Sequence, residues 1–409
     1  MNNNASIFIG MGGGFGPLAQ VLPIADELKK YGMEIICHNY RAAADMIRKM
    51  NFSFYEGPRI TKGPEKINPN GPEWWNEDYL WSKYGYLDYN YTKQLVEGFI
   101  RAFSQYNPKV VIAAHFPAVS AAAKALGIPL VCVTQACYHK HGKGGRATWW
   151  KELPDNLDQT SPVMNRIFHE LGMKPLEKME DLNEGDLTII PSIPEFDVID
   201  SPGVFYTGPM FWQGPWELIS HDYHIKRNNK YLIHVYTGHL FNSHGKATGM
   251  ILLDNIIKAF GYREFDVIIS TGTGQKIPED LKLAENITIS EWVPVNQLIP
   301  QCDLVIHHGG HGYSLQGLAH GVPAIVLPTT DEREYNARQL AGLGVGTFIT
   351  PEELTAEHLR VKTQEMVQNQ EMKTKSRTLA EIIRQRNYQG SSQAAQLIMD
   401  LVKNKVPVP

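Results

Sequence analysis

The sequence predicts an α/β protein made of two doubly wound units, each a parallel sheet with helices on both faces. Three observations carry this. The chain has 409 residues, enough for two domains of ordinary size with a core each. Near its start an apolar run, Ser6 to Gly10, passes through Gly12-Gly13-Gly14 into residues that recur at helical spacing. Near its end, Asp303 to Pro328 sets an apolar run, a glycine-rich turn, a helix and a second apolar run in immediate succession. Strand, glycine turn and helix in that order form the repeating unit of a parallel sheet.

In chain order, Leu18, Val21, Leu22, Ala25 and Leu28 mark the apolar face of the first helix, Pro17 suits its first turn, and Tyr31-Gly32 ends it before the strand Met33 to Cys37. Alternation continues through Val110 to Ala114, a helix over Ala118 to Leu126 and a strand over Pro129 to Thr134. Between Pro58 and Tyr91 the pattern breaks into Gly, Pro and dense aromatics: Trp74, Trp75, Tyr79, Trp81, Tyr84, Tyr86, Tyr89 and Tyr91. This reads as an insertion rather than a scaffold element. A second irregular stretch, His139 to Pro162, carries Trp149 and Trp150. Long irregular segments in compact domains are usually lids or binding loops, so a small-molecule ligand is expected to meet these two; the alternative is that the rings only pack the loops down.

Leu187 to Ser192 and Val204 to Pro209 read as the last strands of the first domain. The second restarts with Tyr231 to Tyr236, a Thr237-Gly238 turn, a helix through Ile251 to Phe260, and Asp266 to Ser270 followed by Thr271-Gly272. Arg377 to Val402 reads as terminal helices broken at Gly390. The expected division is 1–212, 213–380 and a C-terminal helix over 381–409 that packs back toward the first domain.

A formal charge of -4, from 39 Lys and Arg against 43 Asp and Glu, with no dense basic stripe, argues against a nucleic-acid partner. Cys37, Cys132, Cys137 and Cys302 show neither a disulfide framework nor zinc spacing and read as reduced thiols. The N-terminus lacks a basic region, and no stretch approaches the ~20 apolar residues of a spanning helix. A soluble, cytoplasmic protein is expected, with small molecules as partners.

The run from Asp303 to Pro328 is also a pyrophosphate cradle. His308-Gly309-Gly310-His311-Gly312 turns the backbone where side chains would obstruct a ligand, and Ser314 is placed to cap the next helix. The unpaired amides and positive dipole end of such a helix favour an anion, and His308 adds a donor.

These residues, with Ala319-His320-Gly321-Val322-Pro323 and a strand ending in Pro328, resemble the donor-binding signature of family 1 glycosyltransferases. Glu291-Trp292-Val293-Pro294 is similar to the family's segment before the cradle, and Asn336-Ala337-Arg338 with Leu343-Gly344-Val345-Gly346 is similar to its segment after the cradle. The resemblance implies the GT-B fold, two Rossmann-like domains facing across a cleft. It also implies an inverting glycosyltransferase that moves a sugar from a nucleotide sugar, UDP- rather than dTDP-linked, to a small-molecule or natural-product acceptor.

Under that resemblance Trp292 falls where an aromatic stacks on the nucleotide base, with Val293 beside it, although a Trp at a strand end is often core. Gln316 falls where relatives carry a glutamate on the ribose. Glu332-Arg333 falls where an Asp-Gln pair touches the donor sugar, and Arg333 in that place equally suits a surface ion pair. His308, Gly309, Gly310, Gly312 and Ser314 would hold the diphosphate. Thr237, Gly238 and Thr271 lie at strand ends, where doubly wound folds bind ligands. The acceptor side would draw on Gly13, Gly14, Phe15, Trp74, Trp75 and His139. The chain contains no Asp-x-Asp, so neither a metal nor a cofactor is expected beside the nucleotide-sugar co-substrate.

The largest departure concerns the general base, which the family places just after the first glycine turn; Pro17 stands there. Another residue supplies the base, the acceptor needs little help, or the chain does not catalyse transfer. His115, at the end of the strand Val110 to Ala114, is the candidate, set against a merely packed histidine; His38, His139 and His141 are lesser candidates. Two other functions fit the same cradle: a UDP-sugar epimerase, and a nucleotide-sugar-binding homologue without turnover.

Overall fold

The computed structural model describes residues 6–12, 14–65, 76–143, 158–212, 225, 227–238, 246–261, 264–272, 275 and 281–403. Gly13, Trp74, Trp75, Trp149 and Trp150 lie outside them. The chain divides into two compact units, Met1–Pro215 with Tyr388–Pro409, and Trp216–Asn387. The helix that contains residue 381 spans Gln370–Gln385 and belongs to the second unit, so the return to the first unit begins only at Tyr388.

The first unit is a parallel sheet of β1 (Ser6–Met11), β2 (Glu34–His38), β3 (Ser53–Phe54), β4 (Val110–Ala114), β5 (Leu130–Val133), β6 (Leu187–Ile190) and β7 (Val204–Tyr206), in the order β3-β2-β1-β4-β5-β6-β7. Every pairing is parallel. A sheet covered on both faces needs apolar residues at successive positions. Accordingly Ile7, Ile9 and Met11 enter one core layer with the helix Phe15–Lys30, while Phe8 enters the other with Phe99, Phe103 and Val119. The helix Ser391–Val402 adds Ala394, Ala395, Ile398 and Met399 to the first of these layers. Gly208 lets the chain back in: a Cβ there would come within 2.3 Å of the Tyr388 side chain.

The stretch read as an irregular insertion contains scaffold. Asn76 accepts from the Tyr79 amide at 2.9 Å and starts a helix over Glu77–Lys83, and Asp88 accepts from the Tyr91 amide at 3.1 Å and starts the helix Tyr89–Tyr106. Tyr79, Trp81 and Tyr86 are buried, the last two in the second core layer, whereas Tyr84 is exposed. These rings stabilise the fold by burial, and the packing alternative holds for them.

The second unit is a parallel sheet of β8 (Tyr231–Tyr236), β9 (Phe265–Ser270), β10 (Ile287–Ser290), β11 (Leu304–His307), β12 (Ala324–Val326) and β13 (Gly346–Phe348), in the order β10-β9-β8-β11-β12-β13. Strand order reverses between β1 and β4 in the first unit and between β8 and β11 in the second. Loops leaving the carboxyl ends on either side of such a reversal diverge and open a crevice, the usual ligand position of this architecture.

Candidate functional site

At the reversal in the second unit, β8 ends in Thr237-Gly238 and β11 in His308-Gly309-Gly310. Three glycines shape what lies between. Gly238 has φ +77°, and a Cβ there would lie 3.3 Å from the His308 ring. A Cβ on Gly310 would lie 2.6 Å from His308 Nε2. The imidazole of His308 lies closely against the side-chain positions that Gly238 and Gly310 leave empty, with the Tyr236 ring edge-on to it at 5.3 Å.

Gly309, at φ +90°, has a different role from the one the sequence suggested. Its amide donates to His307 Nδ1 at 3.1 Å, its carbonyl accepts from Asn336 Nδ2 at 2.7 Å, and a Cβ would come within 2.8 Å of the Arg333 carbonyl. Both of its polar groups are engaged within the protein, the amide by His307 and the carbonyl by Asn336 of the helix Asp331–Gly342. Ser314 also departs from expectation. The helix begins three residues earlier, at His311–His320 with Gly310 as its cap residue, and the buried Ser314 hydroxyl donates back to the Gly310 carbonyl at 3.1 Å. The first-turn amides of that helix, at His311, Gly312 and Tyr313, have no acceptor within the helix. Gly312 has nothing within 4 Å of its Cβ position.

Below the turn lies a buried polar stack. His234 Nε2 is 2.8 Å from the Ser270 hydroxyl, and its Nδ1 pairs with the Tyr313 hydroxyl. Tyr313 stacks on Tyr236, ring centroids 4.8 Å apart. Burial pulls both His234 and His307 down to about 3, which keeps them neutral and His307 Nδ1 an acceptor.

Further along the helix His311–His320, Gln316 Nε2 donates to Asn296 Oδ1 at 2.8 Å, and the buried Gln316 Oε1 has no hydrogen-bond partner. The amide is therefore fixed with an acceptor to offer. Trp292 is half-buried beyond the end of β10, its carbonyl accepting from the Ser290 hydroxyl at 2.6 Å. Val293 is buried and can meet a ligand only through its backbone. Thr237 is buried with its hydroxyl 3.5 Å from the Ser270 carbonyl, and Thr271 is buried with its hydroxyl unpartnered. Glu332 and Arg333 are half-buried on the first turn of the helix Asp331–Gly342, where Arg333 Nη1 donates to the Thr329 hydroxyl.

At the reversal in the first unit, the Gly12 amide donates to the Ala114 carbonyl at 2.8 Å, and a Cβ on Gly12 would lie 2.1 Å from the His115 carbonyl. Gly14 is exposed at φ +109°, Phe15 packs against the core, and Pro17 sits in the first turn of the helix Phe15–Lys30 with no proton-accepting group. His115 has φ +49°, a left-handed backbone in a non-glycine residue. Both its ring nitrogens are buried without a hydrogen-bond partner, the Tyr138 ring lies edge-on at 4.8 Å, and its Nδ1 is 3.6 Å from Glu77 Oε1. Sequence reading missed Glu77; its N-terminal position on a capped helix was the available signal.

The other histidines are placed differently. His38 is enclosed by Tyr40, Phe99 and Phe116, its Nδ1 lies 2.8 Å from the Tyr55 carbonyl, and burial pulls it down to about 4. His139 is buried, accepts from the His141 amide at 3.2 Å and is likewise lowered to about 4, chiefly by burial; His141 is exposed. Among the described residues no group of three or more His, Cys, Asp or Glu could hold a metal, and no helix is long and apolar enough to cross a membrane.

Fold and site define a protein of two doubly wound units, with a glycine turn and a helix start at the reversal of the second. Comparison with known proteins makes this specific. Residues 255–387 match the family described as erythromycin biosynthesis protein CIII-like, C-terminal domain. Demethyllactenocin mycarosyltransferase of Streptomyces fradiae is 34% identical over 103 residues, 25% of this chain and 22% of that protein. The NDP-glycosyltransferase YjiC of Bacillus subtilis (strain 168) is 31% identical over 154 residues, 37% of this chain and 38% of that protein. The matched stretches thus span less than two fifths of either relative. Over the whole fold, the calicheamicin glycosyltransferase superposes with a TM-score of 0.74 at 19% identity, covering 99% of this chain and 100% of that one. The glycosyltransferase VinC, solved in complex with dTDP, does so with 0.69 at 16%, covering 98% and 100%. The chain has the GT-B fold, and over part of its length it is similar to family 1 glycosyltransferases.

Proposed function

We propose that this chain transfers a glycosyl group, with inversion and without a metal or cofactor, from a nucleoside diphosphate sugar bound by the second unit to a small-molecule acceptor bound by the first. The seat of His308 carries the reading. Glycines on both sides leave space around one imidazole at the strand-order reversal, beside a helix start whose first amides have no acceptor within the helix.

In the transfer the acceptor O–H breaks and its proton passes to His115 Nε2. The oxygen bonds to the anomeric carbon, and the bond from that carbon to the diphosphate breaks with its electron pair on the leaving group. His308 and the first-turn amides take up the developing charge. A bound hydroxyl also satisfies a ring nitrogen that is otherwise buried without a partner. On the donor side, the unpartnered Gln316 Oε1 accepts from a ribose hydroxyl. UDP is preferred over dTDP because uridine offers two hydroxyls to that oxygen and thymidine one. The acceptor belongs to natural-product chemistry, as the names of the mycarosyl and calicheamicin relatives suggest by analogy.

Thermal unfolding with UDP, dTDP, GDP and ADP tests the reading, then sugar conjugates of the nucleotide that stabilises most and an acceptor screen. A ligand at 100 times its Kd stabilises the folded state by about 2.7 kcal/mol. UDP is expected to raise the melting temperature furthest; no response to any nucleotide would remove the donor site and the function with it.

A further inference from the structure

We propose that Glu77 is the positioning residue for His115, fixing which ring nitrogen carries the proton and so leaving the other able to accept one. The inference rests on the reading of His115 as the base and names the partner that makes it one.

Glu77 is 1% exposed, and one of its carboxylate oxygens, Oε1, is buried with no hydrogen-bond partner, 3.6 Å from His115 Nδ1. Burying a carboxylate in this way is costly unless something compensates it. The next residue, Asp78, anchors the segment Gln159–Thr160, accepting from the Gln159 amide at 2.7 Å and from the Thr160 amide and hydroxyl at 3.0 and 2.6 Å, and contributes nothing to Glu77 Oε1. The other Glu77 oxygen, Oε2, is gripped by the Asn183 side-chain amide, which also donates to the Tyr138 carbonyl at 2.9 Å. A backbone carbonyl can only accept, so the NH2 of Asn183 is the end that faces both groups. Glu77 is thereby held by Oε2 with Oε1 turned toward the histidine.

A carboxylate can only accept as well. The neutral imidazole facing it gains by carrying its proton on Nδ1, which leaves the lone pair on Nε2. His115 itself is held in a left-handed backbone conformation at the strand-order reversal, with the Gly12 loop pressed against its carbonyl. Strain of that kind at a non-glycine residue persists where the surroundings impose it.

Glu77→Gln separates positioning from packing. Its side chain has the same shape, and Asn183 still requires an acceptor, so the new amide turns its oxygen to Asn183 and its NH2 to His115. Nδ1 then accepts, the proton moves to Nε2, and the base is blocked. The expected results for the full chain are a melting temperature and UDP affinity within experimental error of the parent and a fall in kcat of at least tenfold. Side-chain 15N chemical shifts of His115 should change from the Nδ1–H to the Nε2–H pattern. A structural role would be rescued by this variant. Unchanged His115 shifts in Glu77→Gln would overturn the proposal whether or not sugar transfer is found. Shifts that track Glu77 in a protein that turns over no donor would overturn the transfer reading and leave the pairing standing.

Discussion

The Gly309 amide donates to Nδ1 of His307, the residue two places before it, across 3.1 Å. This bond turns the Gly309 amide inward, so that on the proposed reading the helix start after Gly310 is what meets the diphosphate. It depends on a neutral imidazole, and burial supplies that condition. His307→Ala should leave the Gly309 amide buried without an acceptor, a loss of about 1–3 kcal/mol in addition to the lost packing. Urea unfolding at pH 7.5 should show that loss, and UDP titration of the folded variant should show affinity reduced about tenfold or more. Retained affinity would mean that Gly309 keeps its conformation through Asn336 alone.

Gly312 offers the cleaner probe of where the ligand sits. It lies in the first turn of the helix His311–His320, has no positive φ, and its Cβ position is open. Gly312→Ala should therefore leave stability unchanged or raise it by up to about 1 kcal/mol through helix propensity. If the diphosphate seats against that turn, the same methyl group weakens UDP binding. Thermal unfolding with and without UDP reads both quantities, and a variant that gains stability and binds UDP like the parent would move the diphosphate away from this turn.

Much of the fold and of the cradle was readable in the sequence, for a physical reason. Strand and helix differ in hydrophobic periodicity and glycine marks the turn between them, so Ser6 to Leu28 and Asp303 to Pro328 declare themselves locally. What escaped depends on side-chain partners distant in sequence. Gly309 reads as a ligand contact until the His307 and Asn336 bonds show that both its polar groups are engaged. Ser314 reads as a cap until Gly310 is seen to start the helix earlier. Tyr79, Trp81 and Tyr86 resemble a binding loop because aromatic density marks burial and recognition alike; the caps at Asn76 and Asp88 were the local sign that helices begin there. Glu77 could not be paired with His115 from sequence because nothing in their spacing relates them.

The buried histidines predict how the fold responds to acid. His38 in the first unit is lowered to about 4, and His234 and His307 in the second to about 3, burial being the largest cause for each. In the unfolded chain each takes up a proton near pH 6.5. As pH falls below about 6.5 the unfolded state binds protons that the folded state refuses, so stability contributed by the neutral forms is complete above that pH and lost on the way down to about 4 and 3. The slope should reach up to about 1.4 kcal/mol per pH unit for each histidine. Urea midpoints at pH 7.5, 6.5, 5.5 and 4.5 check this. A midpoint flat across that series would mean that these imidazoles are accessible to protons in the folded protein.

His308 is the residue on which the donor reading turns. Its ring is held between the positions that Gly238 and Gly310 leave open, so the effect of losing it can be separated from the effect of displacing it. His308→Ala removes one donor to the departing diphosphate and should reduce turnover by at least about a hundredfold, the scale of losing one preorganised donor to a developing anion. Gly310→Ala keeps the imidazole but places a methyl group 2.6 Å from its Nε2, and the ring, as the free end of a side chain, can swing away without disturbing the backbone. That variant should therefore fold normally and still lose activity. Initial rates for both variants with the preferred nucleotide sugar, beside their melting temperatures, test the pair. A near-normal rate in His308→Ala would remove His308 from the chemistry, while loss in His308→Ala with full activity in Gly310→Ala would show that the donor acts from a position other than the seat between the two glycines.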